Sequence, residues 1–360
     1  MKTRTFILSL TLAGMLAASL SANACTGITL NSKDSTTIVA RTIEWGGSDL
    51  NSQYVIVPRG YTMRSYTPDG SEGMQFTSRY GYVGLAVEQK EFIAEGINEA
   101  GLSAGLFYFP NYGQYEAYDA EKKDTSIADL QLVSWILGKC ATIDEAIESV
   151  KQVHVIRIDP RASTVHWRFT DPAGRQVVLE IIGGEPKFYE NKLGVLTNSP
   201  GFEWQLTNLN NYVNLYPGSA PTQSLGNVRL ASFGAGSGFL GLPGDVTPPS
   251  RFVRAAFYQA TAPRQDDAEK TVLQAFQILN NFDIPVGIEF ADGKVPVDIP
   301  SATQWTSATD MKNRIIYFRT MYNSEIRSIN LDQIDFSEVA YQAIPLDNTK
   351  QQPIRTIPIK

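Results

Sequence analysis

Ser21-Ala-Asn-Ala-Cys25-Thr-Gly-Ile-Thr-Leu30 decides how the rest of this chain is read. Ala22 and Ala24 form the small pair that a signal peptidase needs, and the cysteine after them opens a β-rich run that predicts a strand over Thr26–Leu30. Upstream, Met1-Lys-Thr-Arg4 precedes an apolar run from Phe6 to Leu20, completing the three-part layout of a secretory signal over residues 1–24. That run is about 15 residues, short of the roughly 20 a spanning helix requires. These features predict an exported protein, periplasmic or secreted, without a stable membrane span, whose mature domain is residues 25–360 and whose first residue is Cys25.

A cysteine in that place serves one of two chemistries. A lipoprotein signal also ends before a cysteine, and the alternative reading is a protein anchored through a lipidated Cys25 with a binding role. That signal wants a larger aliphatic residue where Ala22 stands and a small one where Asn23 stands, so simple cleavage is the better reading. Simple cleavage leaves Cys25 with a free α-amine whose ordinary pKa is about 8, a built-in base for its own thiol. No histidine is then needed. His154 and His166, the only two histidines, both fall in expected strands and read as structural.

Composition narrows the classes. The chain has 360 residues, 43% of them hydrophobic and 11% aromatic, enough for a large core. Its formal charge is −6, and −8 once Lys2 and Arg4 leave with the first 24 residues, so nucleic acid is an unsuitable partner. Two cysteines, Cys25 and Cys140, cannot make a disulfide framework or a cysteine metal site, although one Cys25–Cys140 bridge is conceivable in an oxidising compartment. Cys140 closes the apolar stretch Ala128–Leu137 and reads as a small buried residue. No metal and no cofactor is expected. Gly236, Gly238 and Gly241 make a GxGxxG spacing, but Leu-Pro-Gly-Asp follows instead of a helix, which argues against a dinucleotide loop.

Strands are expected at Thr36–Ile43, Tyr54–Val57, Phe92–Ile97, Leu102–Phe109, Ser163–Phe169, Gln176–Ile182 and Gly194–Leu196, with a closing pair at Gln304–Thr309 and Arg314–Thr320. Helical periodicity marks Ser126–Leu137, the segment after the capping box Thr142-Ile-Asp-Glu145, Arg251–Thr261 and Asp266–Leu279. Strands lead, helices come in pairs and strands return, which predicts one α+β unit of stacked sheets with helices outside. The Gly/Pro-rich span from Gly234 to Pro249 is a boundary candidate or a long loop over a site.

Several segments together resemble the choloylglycine hydrolase family of N-terminal nucleophile hydrolases, which contains bile salt hydrolases and penicillin V acylases. They are Cys25-Thr-Gly-Ile, Ala40-Arg-Thr-Ile-Glu-Trp45, Gly96-Ile-Asn-Glu-Ala-Gly-Leu102, Leu196-Thr-Asn-Ser-Pro200, Leu206-Thr-Asn-Leu-Asn-Asn-Tyr212, Gly241-Leu-Pro-Gly-Asp245, Pro249-Ser-Arg-Phe-Val-Arg254 and Thr303-Gln-Trp305. They cover nearly the whole mature chain in order. The resemblance implies a four-layer αββα sandwich and a small amphipathic amide as substrate: a conjugated bile salt losing glycine or taurine, with penicillin V or another N-acyl amide as the alternative. Family members associate as tetramers, so a homo-oligomer is implied.

Position by position, the resemblance makes Cys25 the nucleophile and places Arg41 near its thiolate, where a fixed positive charge lowers a thiol pKa. Asn198 becomes the side-chain oxyanion donor, a backbone N–H at Phe107 or Tyr108 its partner, and Arg251 completes the polar network. Glu44 stands where the family usually has an aspartate that orients the amine, so its carboxylate must approach at a different angle. Phe109, Tyr112 and Trp204 are candidate walls of an apolar acyl pocket.

Overall fold

A computed structural model describes residues 23–158, 163–290, 294–296 and 298–359; the expected signal segment lies outside them up to residue 22. Two antiparallel sheets dominate. The first has β1 (Asn23–Asn31), β2 (Thr37–Trp45), β10 (Thr303–Asp310), β11 (Ile315–Thr320) and β12 (Arg327–Asn330), in the order β1-β2-β10-β11-β12. The second runs β9-β8-β7-β6-β5-β4-β3-β13. Its strands are β3 (Gln53–Val57), β4 (Tyr82–Ala86), β5 (Ile93–Asn98), β6 (Ser103–Tyr108), β7 (Val165–Thr170), β8 (Gln176–Ile182), β9 (Glu185–Glu190) and β13 (Gln342–Pro345).

Helices cover the outer faces. Over the second sheet, α1 (Leu132–Lys139) packs on β4, β5 and β6 and is followed by α2 (Ile143–Val150). Over the first, α4 (Pro248–Thr261) lies on β1, and α5 (Ala268–Leu279) spans β1, β2 and β10. The order is helix, sheet, sheet, helix, the αββα sandwich expected from the resemblance. A short α3 (Phe202–Asn208) packs against α4, with the Phe202 ring edge-on to Phe252.

Local chemistry places the helix ends. The Thr142 hydroxyl accepts the Glu145 N–H at 3.2 Å, and the Glu145 carboxylate takes the Ala141 N–H at 2.7 Å. Asp267 caps α5 by accepting from the Lys270 N–H, and Pro248 and Pro249 fill the first turn of α4, where no intrahelical N–H is needed. The expected helix over Ser126–Leu137 is corrected at its start: Ser126–Ala128 pairs in parallel with His154–Ile156, and the α-helix begins only at Leu132. Gly194–Leu196 makes a single bridge, Gly27 to Leu196, instead of a strand.

Both inner faces are close together at β1. Gly27 has ordinary backbone angles, so its lack of a side chain serves space and not conformation. A Cβ there would lie 2.9 Å from Arg168 Nη1 and 3.0 Å from Phe107 Cζ of the opposite sheet. Gly27→Ala is therefore expected to cost about 1–3 kcal/mol of stability, read by denaturant unfolding. A variant as stable as wild type would mean the two sheets are not held this tightly.

Among the described residues no helix is long and apolar enough to cross a membrane. Cys25 and Cys140 are both buried free thiols, so the conceivable bridge between them is not formed. Cys140 packs at the end of α1 beside the Ser149 hydroxyl. The 236–241 glycines lie in a loop with one turn of 3₁₀ helix at Ser237–Phe239, not at the head of an α-helix.

Candidate active site

Cys25 sits in β1 with its cross-strand partner Ile43 on β2, and Gly27 is paired with Arg41. Directly paired residues share a face and alternate residues return to it. Cys25, Gly27 and Arg41 therefore all look toward the second sheet. Ala24, Thr26, Thr42 and Glu44 look the other way, toward α4 and α5.

The main chain of Cys25 is held at both ends. Its N–H donates to Asn198 Oδ1 at 2.9 Å, and its carbonyl accepts from Arg251 Nη1 at 2.6 Å. Arg251, on α4, also donates to Thr26 Oγ1 at 2.8 Å and, through Nη2, to Asn198 Oδ1 at 2.7 Å. The Tyr108 backbone N–H, at the end of β6, donates to the Cys25 thiol. Asn198 Nδ2 donates to the Tyr108 carbonyl at 2.7 Å, tying the Leu196–Pro200 turn to that strand end.

Arg41 is fully buried. Its Nη1 donates to the carbonyls of Ala94 at 3.0 Å and Leu106 at 2.5 Å, and its Nε donates to the Thr42 carbonyl at 3.2 Å. Its guanidinium stacks 4.0 Å from the Phe107 ring centre, and Nη2 has no hydrogen-bond partner. Burial raises the Cys25 thiol above its usual range, opposed chiefly by Arg41 and then by the Tyr108 N–H and Arg251. With Asn23 and Ala24 still continuing the strand, Cys25 is only 4% exposed.

A buried thiol facing one arginine, with its own N–H and carbonyl fixed by an asparagine and a second arginine, fits a known family of amidases. Residues 25–349 match the linear amide C–N hydrolases, choloylglycine hydrolase family. The chain belongs to this family. It is 31% identical to the bile salt hydrolase/transferase of Clostridium perfringens, across 88% of this chain and 95% of that protein. The bile salt hydrolase/transferase of Lactiplantibacillus plantarum is also 31% identical, across 91% and 98%. The crystal structure of a variant conjugated bile acid hydrolase from Clostridium perfringens superposes with a TM-score of 0.79 at 28% identity, covering 93% of this chain and 100% of that one. A penicillin V acylase from Agrobacterium tumefaciens shares the fold, with a TM-score of 0.70 at 23% identity, covering 91% and 93%.

In this choloylglycine hydrolase family member, six of the seven residues named for nucleophile, network and oxyanion fall into two groups. Cys25, Asn198, Arg251 and Tyr108 are joined by direct hydrogen bonds, while Arg41 and Phe107 form the layer beneath them. Of the two backbone candidates, Tyr108 is the one that reaches the thiol. Asn198 positions the nucleophile's main chain: its oxygen holds the Cys25 N–H, one Nδ2–H donates to the Tyr108 carbonyl, and the amide keeps a second N–H. Glu44 is the seventh, and lies across the strand from Ala24, not from Cys25.

The expected pocket walls separate in the same way. Tyr112 and Trp204 are half-exposed, but Phe109 is fully buried and stacks on His166 with ring centres 4.4 Å apart. That burial corrects its reading as a pocket wall. His166 Nε2 lies 3.0 Å from the Thr197 carbonyl, which can only accept, so that nitrogen carries the proton; Nδ1 faces Glu180 at 3.2 Å. His166 thus supports the turn that carries Asn198.

Glu44 and Glu289 are acidic residues that act on Arg251, and the sequence pattern did not point to Glu289. Burial pushes the Glu44 carboxyl up to about 8, outweighing Arg251, the Thr42 hydroxyl and Arg41. Burial likewise raises Glu289 to about 7 against Arg251. A folded value above the unfolded one means that the fold favours protonated Glu44. Its contribution to stability is full below the ordinary carboxylate range and is lost as pH rises toward about 8. In a chain that retains Ala24, Glu44→Gln is expected to raise the unfolding temperature more at pH 8 than at pH 5. An equal effect at both values would show that Glu44 does not titrate between them.

Proposed function

We propose that this protein is a cysteine amidase that hydrolyses the C–N amide of conjugated bile salts, releasing glycine or taurine through a thioester. The observation that carries this reading is the fixed main chain of Cys25: Asn198 and Arg251 hold its nitrogen and carbonyl while Tyr108 and Arg41 face its thiol. The family match begins at Cys25 itself. Signal cleavage after Ala24 removes the strand extension before Cys25 and turns the Cys25 N–H into an α-amine. Glu44, across the strand from the departed Ala24, then gains the α-ammonium as a further cationic neighbour beside Arg251 and Arg41.

The amine takes the thiol proton, and Arg41 favours the thiolate that results. The thiolate attacks the amide carbonyl, and the developing oxyanion recruits the Tyr108 N–H and the Asn198 Nδ2–H. The C–N bond breaks as the α-ammonium returns its proton to the leaving amine. Water then attacks the thioester with the α-amine again as base, releasing the acid and restoring the thiol. No other base is required by this sequence of steps.

Export to the periplasm or beyond follows from the same signal, and self-association from an exposed hairpin, Gln223–Leu225 with Val228–Leu230. Leu225, Val228, Phe233 and Leu240 there are all exposed to solvent. A homo-oligomer, the tetramer of the resemblance, is expected by light scattering; a monomer at micromolar concentration would refute it.

The substrate is tested by following amine release from glycine and taurine bile conjugates and from penicillin V. Rapid release from the bile conjugates supports the proposal. Cleavage of penicillin V alone keeps the mechanism and moves the substrate, and a lipid found on Cys25 overturns both.

A further inference from the structure

Beneath Arg41 the two sheets enclose a second charged pair that the mechanism does not use. Glu95 on β5, Gly105 on β6 and Arg168 on β7 lie side by side in register, so their side-chain positions share one face, toward the first sheet. Gly105 has ordinary backbone angles, and a Cβ on it would lie 2.2 Å from Glu95 Oε2. Its missing side chain is what lets the carboxylate reach across the middle strand. Arg168 Nη2 donates to Glu95 Oε1 at 3.1 Å, and Glu95 Oε2 stands 3.6 Å from Arg41 Nη1. On the opposite sheet Gly27 leaves the room that Arg168 Nη1 occupies. The Phe107 ring stacks on both guanidiniums, 4.0 Å from Arg41 and 5.4 Å from Arg168.

Formally the cluster has two positive charges and one negative, all buried. Arg41 Nη2 and Arg168 Nη1 both lack hydrogen-bond partners, so the positive excess is not neutralised within it. A buried charge left without a counter-charge is costly, and Cys25, two residues from Gly27, is the group on this face able to supply one by ionising, while Glu44, which also feels Arg41, lies on the other face of β2. Without the carboxylate between them the two guanidiniums would repel, and the carbonyls of Thr42, Ala94 and Leu106 alone would hold Arg41 against that repulsion.

We propose that Glu95 and Arg168 are positioning residues for the nucleophile: Glu95, held by Arg168, fixes Arg41 where its charge faces Cys25. The proposal rests on Cys25 being the nucleophile, and neither Glu95 nor Arg168 touches substrate in it.

The test compares mature wild type, Glu95→Gln and Glu95→Asp by the pH dependence of iodoacetamide labelling at Cys25, resolved from Cys140 by peptide mass, and by steady-state turnover of a conjugated bile salt. Glu95→Gln is expected to move the labelling midpoint to higher pH and to lower kcat about 10–100-fold, the effect of a misplaced catalytic group, with KM within about twofold. Glu95→Asp keeps the charge, draws it back by one methylene and should show a smaller shift in the same direction. It carries the test if the Gln variant does not fold. A folded variant with an unchanged midpoint and kcat overturns the proposal, because Glu95 is then only a structural counter-charge. A midpoint moved to lower pH also overturns it, showing that Arg41 stayed in place and Glu95 acts merely as a negative charge. If wild-type turnover is indifferent to Cys25 labelling, the nucleophile reading itself fails, and the positioning role falls with it.

Discussion

Cys25→Ala is expected to cut amide turnover by about 10⁴-fold or more, since a nucleophile and its covalent intermediate disappear together. The fold should survive the change. The Cys25 N–H bond to Asn198 and the carbonyl bond from Arg251 belong to the main chain, and the substitution removes a single buried side-chain atom. Circular dichroism and thermal unfolding on the same preparation separate lost chemistry from lost structure. Full turnover in a folded Cys25→Ala variant would place the chemistry elsewhere.

Asn198→Ala is expected to lower turnover by about 10² or more, for two reasons that the geometry makes separable. The Asn198 oxygen holds both the Cys25 nitrogen and Arg251, and its N–H holds the end of β6 at the Tyr108 carbonyl. Asn198→Asp keeps an acceptor for the first pair and loses the donor. A comparable loss in the Asp variant assigns the effect to the donor, and retained turnover assigns it to the acceptor. A loss below about threefold in the Ala variant would remove Asn198 from the reaction.

Much of this architecture was legible from residue patterns. The strand opening at Cys25, the capped helix after Thr142 and the closing β pair each carry local signals that tertiary contacts had no reason to override. β4 has no strand signature in the sequence because Tyr82-Val-Gly-Leu-Ala86 is buried on both faces and lacks the alternation that marks a half-buried strand. The start of α1 is not legible in the sequence, because an apolar run does not distinguish a short buried strand from a buried helical turn.

The site divides along a similar line. Cys25, Arg41, Asn198 and Arg251 came from motifs, and the structure gathers them from β1, β2, a turn and α4. Glu95 and Arg168 had no motif. Their meeting depends on the register of three strands and on a glycine between them, and pairing register is not written in either residue's neighbourhood. An aromatic side chain suits a pocket wall and a core equally well in sequence, and Phe109 belongs to the core, its ring covered by His166. Glu44 sits in the expected segment, but the alternation of β2 turns its side chain to the face of Ala24.

The most direct test of the central claim is to mix mature protein with a bile salt conjugate, quench in acid within milliseconds to seconds, and determine the mass of the N-terminal peptide. The account predicts a peptide that begins at Cys25 and carries the bile acyl group as a thioester, which disappears as substrate is exhausted. Fully active protein whose chain still contains the Ala24–Cys25 bond, or whose Cys25 carries lipid, would contradict it.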